Sequence, residues 1–332
     1  MRQDRARTVP DTIQVELTSR CPLKCPQCYN DPEPRDIDRD ILAGYIKEAA
    51  GLKVGTIAMG GGEPLMYPHL EYIIKLVSSL GMFSLMATSG AGLSAVRIRE
   101  LKKAGLYHLW VSLNGSTRAI HEQSRDGYHY AVEALHMLRG SGLNHGINWV
   151  ARKDNVDDFP HLVELARKMK IGAITVLRLK PDAQKNAAAA LDGAELARLG
   201  SYIKASRSEE LQIYIEQCFS LLRISMYGDK VMYNGCPAGR EYMAISADGK
   251  LLPCRHLYHH GEKWPGIADY WNNSRGLDRL RTTEENVAYP CSDCGHLPRC
   301  RTCRAVCEKL YGSFYAGEKD CSLFRERGER VV

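Results

Sequence analysis

Short apolar runs and helical stretches take turns along the first two thirds of this chain, and that alternation decides most of what it can fold into. Thr12 to Thr18 alternates apolar and polar residues as a strand does. Ile37 to Ala50 has helical periodicity, with Asp36 placed to cap its N-terminus. Thr56 to Met59, Phe83 to Thr88, His108 to Leu113, Ile147 to Ala151 and Ile174 to Leu179 continue the strands. Helices are predicted between them at Pro68 to Leu80, Val96 to Ala104, Tyr130 to Leu138 and Phe159 to Met169. Six strands spaced for right-handed crossovers predict an α/β fold with a parallel sheet covered by helices. Periodicity leaves a partial barrel and a doubly wound sheet both open. The alanine-rich run Ala183 to Ala190 and a helix around Glu195 to Ser206 follow, and then the grammar changes. Strands shorten, Asp248-Gly249 reads as a hairpin turn between Met243–Ile245 and Leu251–Leu252, and cysteines crowd in. A boundary is expected near residues 210–230, giving domains over 12–210 and 230–325.

A length of 332 residues suits one large domain and a C-terminal module, and 44% hydrophobic with 25% charged residues is ordinary for a soluble globular chain. The net charge of +6 is spread along the sequence, which favours a solvated surface over a nucleic-acid face. Met1 to Pro10 has no apolar signal region, and no apolar stretch approaches the roughly 18 residues of a membrane span. A cytoplasmic protein with no membrane or nucleic-acid partner is therefore expected. Twelve cysteines in that reducing setting point to metal rather than to disulfides.

Three of the twelve, Cys21, Cys25 and Cys28, sit on one short loop after the first strand with three and then two residues between them. Three thiolates can hold three corners of a cubane and leave its fourth iron open for a ligand, whereas four would close it as an electron carrier. A zinc site short of one ligand, or three buried thiols, are the alternatives that spacing alone leaves.

With Tyr29 following, this loop resembles the CxxxCxxC signature of the radical S-adenosylmethionine enzymes. The resemblance implies a six-stranded partial (β/α) barrel with the cofactor at the C-terminal strand ends. It also implies a 4Fe-4S cluster whose open iron is chelated by S-adenosylmethionine, with reductive cleavage to a 5'-deoxyadenosyl radical. Gly60-Gly61-Gly62-Glu63-Pro64 follows the second strand. Glycines let backbone approach a ligand, and Glu63 is an acceptor suited to an ammonium group. The run matches the family's GGEP motif, whose main-chain groups take the amino group of the cofactor. Thr88-Ser89-Gly90 looks like a variant of the strand-end TNG, which makes Ser89 a candidate. Val111-Ser112-Leu113-Asn114-Gly115 resembles VSLDG, which implies that Ser112 and Asn114 face the ribose, with an amide in place of the acid. Arg125 sits where the family places an arginine for the methionyl carboxylate, a bidentate task that guanidinium suits.

Nine cysteines remain, and only five residues separate Cys294 from Cys300, too few for the two knuckles of a zinc ribbon. The pattern resembles the SPASM extension of the same family, which carries two auxiliary 4Fe-4S clusters. Cys236, Gly249 and Cys254 fit its first part, Cys291, Cys294 and Cys300 its second, and Cys321 its last. The fourth central cysteine should follow Cys300 after three residues; here Cys303 follows after two and Cys307 three further on. The resemblance implies a distal cluster on Cys291, Cys294, Cys300 and Cys321, and a nearer one on Cys236, Cys254 and Cys303 or Cys307. The fourth corner of the nearer cluster is left to the other of that pair, to Cys218, or open. Cys218 is otherwise a buried thiol or a hydrogen-atom donor to a substrate radical. The expected activity is radical modification of a ribosomal peptide by crosslinking, thioether formation or epimerisation, with a flavodoxin- or ferredoxin-type electron donor. Oxidation or epimerisation of a small sugar, aminocyclitol or tetrapyrrole is the second reading, favoured by the lack of a winged-helix-like peptide-binding segment before Thr12. A non-catalytic zinc module is the third.

Overall fold

The computed structural model describes residues 9–30, 33–181, 186–230, 235–319, 321 and 323. Along the chain the strands are β1 (Thr12–Thr18), β2 (Thr56–Gly61), β3 (Phe83–Thr88), β4 (His108–Ser112), β5 (His145–Ala151), β6 (Ala173–Arg178), β7 (Gln212–Ile215), β8 (Tyr242–Ile245) and β9 (Leu251–Leu252). The helices are α1 (Arg39–Gly51), α2 (Leu70–Ser79), α3 (Ala95–Ala104), α4 (Arg118–His121), α5 (Tyr128–Leu138), α6 (Phe159–Lys168), α7 (Gly193–Ser206), α8 (Ser220–Tyr227), α9 (Ile267–Asn273), α10 (Arg275–Arg281), α11 (Thr283–Asn286), α12 (Leu297–Cys300) and α13 (Arg304–Tyr311). All six predicted strands are present within a residue or two of their expected ends. Positions 183–185 of the alanine-rich run lie outside the described residues, and Ala187–Ala189 forms a 3-10 turn.

Contacts divide the chain into two compact units. The first takes in Met1–Leu113, Asp126–Ile147 and Ala238–Arg281. Its strands lie in the order β4-β3-β2-β1-β8-β9. β1 is buried on both faces, Ile13, Val15 and Leu17 on one and Gln14, Glu16 and Thr18 on the other, as expected of a strand inside a parallel sheet. It pairs in parallel with β2 from Thr12↔Thr56 and with β8 from Thr12↔Tyr242. The expected hairpin is present: β8 and β9 are antiparallel, Gly249 takes φ +77° in the turn, and its N–H donates to the Ser246 carbonyl. The same β8 lying beside β1 is a pairing the sequence reading did not contain. Glu48 of α1 fastens α9, accepting from the Ile267 and Ala268 N–H groups at 2.8 and 2.9 Å. One expectation needs correction. Asp38, not Asp36, caps α1, its Oδ1 accepting from the Asp40 and Ile41 N–H groups. Asp36 turns the other way, onto Arg20 at 2.5 Å, because residue 36 bridges to Thr18 in extended conformation and cannot begin a helix.

The second unit takes in Asn114–Arg125, Asn148–Pro237 and Thr282–Val332. Within it β6 runs parallel to β7 from Ala173↔Gln212 to Val176↔Ile215. α7 starts with a reciprocal cap in which Asp192 and Glu195 satisfy each other's backbone N–H groups.

Candidate active site

In the first unit the loop bearing Cys21, Cys25 and Cys28 leaves the end of β1 with its thiols partly or fully accessible. Two contacts hold its entry. Gly62 N–H donates to the Thr18 carbonyl at 2.6 Å and Glu63 N–H to the Arg20 carbonyl at 2.8 Å. This closeness explains the glycines. A Cβ on Gly61, which has φ +122°, would stand 2.2 Å from the Thr18 carbonyl oxygen, and one on Gly62 would stand 2.2 Å from that of Arg20. Beyond the entry, Asp126 N–H donates to Cys25 Sγ at 3.4 Å and the Asp126 carboxylate accepts from Lys24 N–H at 3.3 Å. Burial pushes the Cys21 thiol up.

Glu63 is fully buried, and its oxygens are taken by the Thr88 hydroxyl (2.6 Å), the Ser89 N–H (2.8 Å) and hydroxyl (2.5 Å), and the Leu65 N–H (3.2 Å). Burial nevertheless holds its carboxyl above the ordinary range. Glu63 thus ties the glycine turn and the buried Pro64 to the end of β3, which leaves main-chain groups of the turn for a ligand. Tyr29 packs beside His256, ring centroids 4.4 Å apart, with the Arg255 guanidinium 5.6 Å from its ring centre. The segment beginning at Cys254 therefore lies against the residue that follows Cys28. Glu16, on the buried polar face of β1, belongs to the same group; burial raises its carboxyl, and Arg255 and Tyr29 pull it back. Ser112 ends β4, half-buried.

In the second unit Asn114 is fully buried and both halves of its amide are engaged. Nδ2 donates to Ser124 Oγ at 2.8 Å and Oδ1 accepts from Val150 N–H at 3.1 Å. An amide supplies a donor and an acceptor at one position, and a carboxylate at neutral pH supplies only acceptors, which accounts for the departure from the acidic motif. Arg125 carries a buried Nε with no hydrogen-bond partner among the described residues, an unsatisfied cationic donor suited to an anionic ligand.

Most of the C-terminal thiols also lie in the second unit. Cys291, Cys294, Cys300 and Cys321 line one small cavity together with His296, Thr302 and Glu318. Burial raises the Cys300 and Cys291 thiols, and Glu318 N–H donates to Cys291 Sγ at 3.3 Å. Cys218 is buried and donates to Cys303, which holds the Cys303 thiol below its ordinary range, with Lys180 and Arg178 adding to the effect. Cys307 is fully buried on α13, its thiol raised by burial. Cys236 is half-buried. Among the described residues, no three His, Cys, Asp or Glu side chains converge closely enough to grip a single ion. A separate cavity of about 850 Å³ is lined by Ala151, Lys153, Arg178, Leu179, Phe219 and Glu318 among others, within the range of small-ligand sites. Lys180, Glu216, Asp126 and Glu318 were not singled out from sequence. No local spacing marks them, and folding alone carries them to the thiols.

Residues 15–166 match the Radical SAM superfamily model. The chain is 26% identical to the PqqA peptide cyclase of Gluconobacter oxydans (strain 621H) across 97% of its own length and 94% of the relative's. It is 24% identical to the AdoMet-dependent heme synthase of Methanosarcina barkeri (strain Fusaro / DSM 804) across 94% and 96%. The fold is that of Streptococcus suis SuiB. The SuiB structure with bound S-adenosylmethionine gives a TM-score of 0.80 at 20% identity, covering 95% of this chain and 77% of SuiB. The structure with precursor peptide SuiA gives 0.81 at 19%, covering 95% and 76%. No helix among the described residues is long and apolar enough to cross a membrane.

Proposed function

We propose that this chain is a radical S-adenosylmethionine enzyme that uses S-adenosylmethionine and a 4Fe-4S cluster to modify a ribosomally made peptide. When bound, the cluster and cofactor supply a 5'-deoxyadenosyl radical able to take a hydrogen atom from an unactivated carbon. The chain's own part is to hold and orient. Cys21, Cys25 and Cys28 hold the first cluster, on a loop clamped at its entry by Gly61 and Gly62. Main-chain groups of that turn receive the amino group of the cofactor, with Tyr29, Pro64, Ser89 and Ser112 around it; in the second unit, Arg125 has a guanidinium suited to a carboxylate. Within the second unit, Asn114 ties Ser124 to Val150. Cys291, Cys294, Cys300 and Cys321 hold a second cluster, and Cys303 belongs to a third, nearer one.

The observation that carries this reading is the gathering of four thiols, spread over thirty residues of sequence, around one cavity, in addition to a separate three-thiol loop. Three cubanes would give about 12 iron and 12 sulfide per chain. A small flavodoxin or ferredoxin supplies the electrons. Peptide is preferred as substrate because SuiB, solved with a precursor peptide, and the PqqA peptide cyclase resemble this chain along nearly its whole length. The similarity to a heme synthase supports the second reading, a small tetrapyrrole-like substrate in the large cavity.

The test is anaerobic incubation of the reconstituted enzyme with S-adenosylmethionine, dithionite and any short peptide encoded beside its gene. Mass spectrometry should show loss of two hydrogens per crosslink, or uptake of one solvent deuteron at an epimerised position. An unchanged peptide, with 5'-deoxyadenosine forming no faster in its presence, would overturn the peptide reading.

A further inference from the structure

We propose that Lys180 and Arg178, buried beside Cys218 and Cys303, raise the reduction potential of an iron-sulfur cluster bound through Cys303, and that Glu216 opposes them. This rests on the reading above that Cys303 is a cluster ligand. Arg178 ends β6 and Lys180 follows two residues later, so folding a single strand delivers both cations. Their side chains are only 10% and 7% exposed. Lys180 Nζ meets Glu216 Oε2 at 2.5 Å, and that same oxygen accepts from Arg178 N–H at 3.0 Å. The Arg178 guanidinium donates to Thr302 Oγ1 at 2.9 Å and pairs with Glu318, which also accepts from the Thr302 hydroxyl. Thr302 immediately precedes Cys303, and both it and Arg301 hold positive φ, an uncommon conformation for such side chains.

Two ion pairs in a dry interior are a poor way to gain stability, because desolvation offsets most of their attraction and apolar side chains of the same size do as well. Their position gives them another use. Cys218 and Cys303 lie within hydrogen-bond reach of one another, and both feel the charge on Lys180. A third buried cation, Arg304, donates to the Phe314 and Arg301 carbonyls, keeps a buried Nη2 with no hydrogen-bond partner among the described residues, and lies near Cys307 and Cys291. A thiolate-bound cluster is anionic and gains a further negative charge on reduction. Fixed positive charge in a low-dielectric site stabilises the reduced form more than the oxidised one. Charge and hydrogen bonding around the sulfurs are the means by which a protein sets such a potential. Removing a cation or removing its carboxylate partner should therefore move the potential of such a cluster in opposite directions.

The experiment uses the full chain carrying Cys21→Ala, Cys25→Ala and Cys28→Ala, so that only C-terminal clusters report. After anaerobic reconstitution, iron and sulfide are counted and the reduced clusters are followed by electron paramagnetic resonance during a mediated dithionite titration. Lys180→Met should move one midpoint to lower potential, Glu216→Gln should move the same midpoint higher, and Lys180→Arg should stay near the parent. Opposite signs are what charge predicts; loosened packing would move both variants alike or strip iron from both. Should Lys180→Met fail to hold its cluster, Glu216→Gln decides, since a rise supports the proposal and no change or a fall overturns it. A parent without C-terminal iron would refute the cluster reading itself. Iron retained in every variant with unmoved midpoints would refute only the tuning.

Discussion

Gly62 has a job that its lack of a side chain alone can do. Any Cβ there meets the Arg20 carbonyl oxygen at 2.2 Å, a backbone atom that can retreat only by moving the cysteine loop. Gly62→Ala should therefore cost the first cluster, about 4 iron of the expected 12, while the C-terminal clusters stay. Iron and sulfide analysis of the reconstituted variant checks this, and full iron content would contradict it. His108 offers a pH test. Burial, helped by His145, lowers its imidazole to about 4 from an ordinary 6.5. A folded value below the unfolded one means the neutral ring is favoured by folding. That stability is complete above 6.5 and is lost as pH falls toward 4. Because the ring is part-exposed, the loss should be no more than about 2 kcal/mol. Urea unfolding of the parent should weaken over that interval, and His108→Asn should remove this part of the slope. At this scale the three-cysteine loop and the glycine turn stand out in the sequence because their residues keep fixed local spacings, and Arg125 stands out only by resemblance. The engagement of Glu63 with Thr88 and Ser89, and of Asn114 with Ser124 and Val150, was not legible. Those partners come from different strands and turns, and no spacing records them.

Among the elements, β1 and β3 were readable to their ends because alternation and composition change sharply at both termini. α1 was misread at its start because two aspartates, Asp36 and Asp38, both precede its apolar periodicity, and only the bridge from residue 36 to Thr18 decides between them. Removing the true cap in Asp38→Ala should cost about 1 kcal/mol. Asp36→Ala loses only a part-exposed ion pair with Arg20 and should cost less. Equilibrium unfolding of the two variants would contradict this cap assignment if the order were reversed. β7, and the pairing of β8 with β1, escaped detection for another reason. Each strand is four residues long, and β8 is parallel to a strand more than two hundred residues earlier, a pairing set by burial on β1 rather than by any pattern within β8 itself.

For the molecule as a whole, a chain with a three-cysteine loop after β1 and further cysteines toward its C-terminus is committed to radical chemistry only if that loop makes the radical. The C-terminal cysteines could be lost or rearranged and the first step would survive. The deciding measurement is the anaerobic, dithionite-driven conversion of S-adenosylmethionine to 5'-deoxyadenosine, comparing the reconstituted parent with the variant in which Cys21, Cys25 and Cys28 are all alanine. The parent should form 5'-deoxyadenosine and methionine in equal amounts, and the variant none above the protein-free control while keeping its C-terminal iron. Formation by the variant at the parent's rate would contradict the account.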